Sequence, residues 1–79
     1  MRLQNLKTDM KTEILKALSA KYKAELEVIT INMDNYLLNP VGVAEHPDIV
    51  SEVDKLIEQA AAIEEKLKLV EDMLMFSVD

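Results

Sequence analysis

Glu45, His46 and Asp48 are the residues of this 79-residue chain whose types and spacing come nearest to chemistry. Two carboxylates and the chain's one imidazole fall within four positions, and all three are ligands for a divalent cation. A metal centre needs a fuller shell, and no second cluster elsewhere in the chain completes one. A di-iron bundle would need carboxylates and a Glu-x-x-His pair on its helical seam, whereas the apolar seam described below is aliphatic. No metal or cofactor is therefore expected. Catalysis has less support still. There is no cysteine nucleophile, no second histidine and no glycine-rich phosphate loop, and the other carboxylates lie on polar faces. The chain is expected not to be an enzyme.

The same short stretch has a mechanical reading. Residues 39–48 hold the only glycine, both prolines and the histidine. Pro40 lacks an N–H and crowds Asn39 out of the helical region, so a preceding helix should end near Leu38. Gly42 suits a chain reversing direction, because it takes positive φ without a steric penalty. Pro47 fits the first position of a new helix, where its missing N–H would be unpaired anyway. On that reading His46 is the N-cap, and Asp48 places its charge in the first turn, where the helix dipole favours it. His46-Pro47-Asp48 also resembles the signature of J-domain co-chaperones, which implies an Hsp70 partner. The context departs from that family. Leu37-Leu38 and residues 39–45 stand where a basic helix should lead into the tripeptide, and the downstream aromatic pattern is missing. The helix-start reading accounts for all three residues.

Two long apolar-periodic segments flank this corner. In the first, about 3–38, Leu3, Leu6, Met10, Ile14, Leu18, Tyr22, Leu26, Ile29, Met33 and Tyr36 recur at steps of three or four. Leu15, Ala17, Ala24, Val28, Ile31 and Leu37 widen that stripe. Thr12, Lys16, Ser19, Lys23, Glu27, Thr30 and Asp34 form a narrower polar strip, so more than half the circumference is apolar. Val28-Ile29-Thr30-Ile31 is β-branched, but no second strand candidate exists to pair with it, and a helix is predicted throughout. The second segment, about 48–76, has the stricter pattern. Ile49, Val53, Leu56, Ala60, Ile63, Leu67, Val70 and Leu74 alternate steps of four and three without a miss, the 3.5-residue repeat of left-handed coiled-coil packing. Glu64 and Lys68, four apart, should support its exposed face. Residues 77–79 should fray.

The expected architecture is all-α: one antiparallel two-helix hairpin with its corner at 39–47. Segments of this length would span ~50 Å and ~40 Å. The seam of the second helix can cover only about a third of the first. Part of Leu15, Leu18, Tyr22, Leu26, Ile29, Met33 and Tyr36, or else the flanking set Ala17, Ala24, Val28 and Ile31, would then face water in a monomer. A homo-oligomer is therefore expected, a dimeric four-helix bundle first, with those seven residues as its candidate interface.

Charge narrows the partners. The net charge is −6, which argues against general nucleic-acid affinity. Residues 1–23 carry Arg2 and five lysines against Asp9 and Glu13, a net +4, whereas residues 39–79 net −7. An antiparallel hairpin lays the basic start beside the acidic end. The longest apolar runs, 60–63 and 73–76, are far too short for a bilayer, so no membrane partner is expected. The opening Met1-Arg2-Leu3-Gln4-Asn5 has no apolar core of a secretion signal, and a cytoplasmic location is expected. The stretch Tyr36-Leu37-Leu38-Asn39-Pro40-Val41-Gly42-Val43-Ala44-Glu45-His46-Pro47-Asp48-Ile49-Val50 resembles the middle of small uncharacterised proteins from tailed phages of marine cyanobacteria. That resemblance implies a phage source and host cytoplasm, with no function to carry over. The expected role is a small structural or protein-interaction module, an accessory protein if phage-encoded, with an unidentified protein as a further partner. The alternative is a regulator contacting nucleic acid through the basic start of the first helix.

Overall fold

The computed structural model describes residues 6–38 and 48–76, and all of these but Asp48 are helical. Helix α1 runs Leu6–Leu38 and α2 runs Ile49–Phe76. The two pack against each other, and no strand occurs among the described residues. The expected start at Leu3, the corner at 39–47 and the fraying at 77–79 lie outside the described residues.

Helix α1 continues to Leu38, and the expected crowding of Asn39 by Pro40 lies outside the described residues. The β-branched run 28–31 stays helical, because Ile29 is buried against α2 and no strand offers an alternative. The start of α2 differs from the sequence expectation. Asp48 is the N-cap, not a first-turn residue, and His46, expected in that role, lies outside the described residues. The amide of Ser51 donates to Asp48 Oδ1 at 2.9 Å, and the amide of Glu52 donates to the Asp48 carbonyl at 3.2 Å. A short carboxylate satisfies an orphan first-turn donor better than an imidazole can, and Glu52 then supplies the first-turn charge. Asp48→Ala should cost about 1 kcal/mol, while Asp48→Asn keeps a capping oxygen and should cost much less. In thermal melts followed by circular dichroism the alanine variant should fall by roughly 4–8 °C. Equal melting of the two variants would remove the cap from the account.

The pairing is antiparallel. Lys23 Nζ lies 4.0 Å from Glu71, and Lys66 Nζ lies 5.6 Å from the centre of the Tyr22 ring. Ile29 shares a furrow with Ile63, and Tyr36 shares one with Leu56. Numbers rise along α1 as they fall along α2. The basic start of α1 thus lies beside the acidic end of α2, although each surface pair contributes only ~0–1 kcal/mol. On the outer face of α2, Lys68 Nζ reaches forward to Asp72 at 3.3 Å instead of back to Glu64.

The molecule is a rod of 57 × 23 × 14 Å. Its radius of gyration is 17.7 Å, where a compact domain of this length would measure ~12 Å. Two helices alone cannot enclose a core. Among the described residues only Leu15, Ile29, Val70 and Ser19 are buried.

Candidate interaction surface

Heptad geometry decides which side chains of α1 meet α2. The buried and half-buried track is Thr12, Leu15, Ser19, Tyr22, Leu26, Ile29, Met33 and Tyr36, in strict steps of three and four. Opposite it, Ile49, Val53, Leu56, Ala60, Ile63, Leu67, Val70 and Leu74 are all buried or half-buried. The register set by the pairs above places Met33 level with Ala60 and Ser19 level with Leu74. At those two levels a small residue faces a large one, whereas Ile29 and Tyr36 meet the large Ile63 and Leu56.

Two sequence assignments change here. Thr12 and Ser19 leave the polar strip, with Ser19 buried and Thr12 half-buried. Met10 and Ile14 leave the inward stripe and are exposed. The reason is angular. Steps of four from Tyr22 back to Leu18, Ile14 and Met10 each rotate 40° past a full turn, so that track winds away from α2. Ser19, Leu15 and Thr12 keep the 3.5-residue repeat and stay on the seam.

The seven candidate interface residues therefore sit on the side of α1 turned to α2. Leu15 and Ile29 are buried there, and Leu18, Tyr22, Leu26, Met33 and Tyr36 are half-buried. Leu18 alone lies beside the repeat instead of on it. The face left open belongs to the flanking set.

No family model, curated protein or solved structure matches this chain. The open face must be read from its own residues. They are Met10, Ile14, Ala17, Lys21, Ala24, Val28, Ile31, Asn35 and Leu38, and every one is exposed. This is a second 3–4 repeat, turned largely from α2 but with Val28 and Asn35 also edging the furrows between the helices, and it is apolar at seven of its nine positions. Ala17, Ala24, Val28 and Ile31 were visible as a flanking set in the sequence. Met10, Ile14 and Leu38 join them only when a second repeat is traced along the same helix.

The remaining exposed apolar side chains are more scattered. Leu37, Val50 and Ile57 border a shallow furrow at the 49–57 end of α2, and Leu69, Met73, Met75 and Phe76 lie toward its other end. A more polar furrow is edged by Asn32, Asn35, Glu52, Lys55 and Gln59. Of the candidate metal ligands, Glu45 and His46 lie outside the described residues, and Asp48 is occupied as a cap. Among the described residues no three His, Cys, Asp or Glu side chains come together as a metal site. Among them, too, no helix is long and apolar enough to cross a membrane.

Proposed function

We propose that this chain is a non-enzymatic helical interaction module that works as a self-associated hairpin, a dimer in its simplest form. The observation that carries this reading is the imbalance of burial. Three apolar residues are buried among the described residues, against twelve large apolar side chains that are exposed. The accessible surface is 6308 Å². A compact monomer of 9.0 kDa would expose about 4,900 Å². The excess, roughly 1,400 Å² per chain, exceeds the ~800 Å² that each partner of a standard-size interface removes from water. A phage accessory protein assembling with itself or with another protein fits the same surface.

Size exclusion coupled to light scattering tests the reading. The expected mass at micromolar concentration is twice that of the chain, and a compact, stable monomer would overturn it. The second reading, contact with nucleic acid, has the exposed Lys11, Lys16, Lys21 and Lys23 in its favour. Those lysines point in several directions around α1, so they make no continuous track along a phosphate backbone. A salt-sensitive mobility shift with DNA or RNA at micromolar protein would favour that reading instead.

A further inference from the structure

We infer that the occupant of the open face of α1 is the same face of a second copy, running antiparallel, so that the two α1 helices form the inner layer of a flat four-helix stack. The inference rests on the self-association proposed above and adds its face and direction. Because the open repeat is turned largely from α2, a partner docked on it stands on the far side of α1 from α2. The helices then follow one another as α2, α1, α1 of the second copy and its α2, with no square core.

Direction follows from charge. Residues 1–23 net +4, whereas residues 24–38 carry Glu25, Glu27 and Asp34 with no base. A parallel pair would lay the basic halves together and the acidic halves together, where like charges repel. An antiparallel pair lays each basic half along an acidic one. The 3–4 repeat then has a symmetric register in which Ile14 meets Ile31 of the second copy, and Ala17 meets its Val28. In that register Lys21 meets the small Ala24 and comes within reach of Glu25 of the second copy. Glu13 comes near Asp34 at the rim, where water screens the repulsion. The stripe from Met10 to Leu38 is ~42 Å long, about four heptads, and supplies a coiled-coil contact of ordinary length.

The chain has no cysteine, so single thiols report the geometry directly. Ile14→Cys and Ile31→Cys chains are refolded separately and as an equal mixture, then oxidised, and the products are weighed by mass spectrometry. Helix content by circular dichroism, and mass by light scattering under reducing conditions, accompany each sample. The expected result is a disulfide-linked heterodimer in the mixture, at least tenfold more abundant than the homodimer from either chain alone. Efficient Ile14→Cys homodimers would overturn the antiparallel direction and leave self-association standing. Helical dimers that cross-link in none of the three samples would overturn the choice of face. Monomers of wild-type chain would overturn this inference together with the proposal beneath it.

Discussion

Ile29→Asp should abolish cooperative unfolding, whereas Ile31→Asp, two residues away, should leave both helices formed. The two substitutions have the same chemistry and nearly the same helix propensity, so the contrast isolates which face each residue occupies. Ile29 is 7% exposed and shares its furrow with Ile63, whereas Ile31 is 56% exposed. Replacing Ile29 removes a buried apolar side chain, at a cost of ~2–5 kcal/mol in cores. It also places a short carboxylate, too short to reach water easily, beside the half-buried Glu25. A domain of this size holds about 5 kcal/mol in total. Thermal scans by far-ultraviolet circular dichroism decide the matter. Melting of Ile29→Asp within a few degrees of wild type would show that the 12-to-36 track is not the seam.

Carrying Asp at both Val28 and Ile31 should separate the assembly while sparing the hairpin. Each residue is already partly wet in one chain, with exposures of 57% and 56%, so only the remaining area is gained on docking. That portion is about half of the ~1.5–3 kcal/mol for full burial, and two-fold symmetry counts each position twice. The sum, ~3–6 kcal/mol, corresponds to at least a ~100-fold rise in the dissociation constant. New carboxylates beside Glu27 and near the acidic half of the stripe add to that loss. Sedimentation velocity over a hundredfold range of concentration should show monomers for the variant where wild type is dimeric. The wild-type melting temperature should rise with concentration, and that of the variant should not. An unchanged mass distribution in the double variant would clear this face of any part in assembly.

The helices themselves were legible in the residues. The repeat from Ile49 to Leu74 has no miss over its length, and a pattern that strict admits one inward face. Local chemistry misled at the start of α2. His46-Pro47-Asp48 offers two ways to begin a helix, and the Asp48 carboxylate accepts from the Ser51 amide at 2.9 Å as the cap.

What no local rule could decide was the orientation of α1. Its circumference carries two complete 3–4 repeats, one through Leu15, Tyr22 and Ile29, the other through Ile14, Val28 and Ile31, and both satisfy the helical period. Even the polarity of individual positions pointed the wrong way, since Thr12 and Ser19 are on the inner track and Met10 and Ile14 on the outer. The choice belongs to the partner helix. Two helices winding about each other hold contact along a track that repeats every 3.5 residues, and on α1 that track runs through the buried Ser19 and the half-buried Thr12. Sequence by itself determined that α1 is helical and has more apolar surface than one neighbour can cover. Only the long-range register with α2 decided which half of that surface is buried and which half stays exposed.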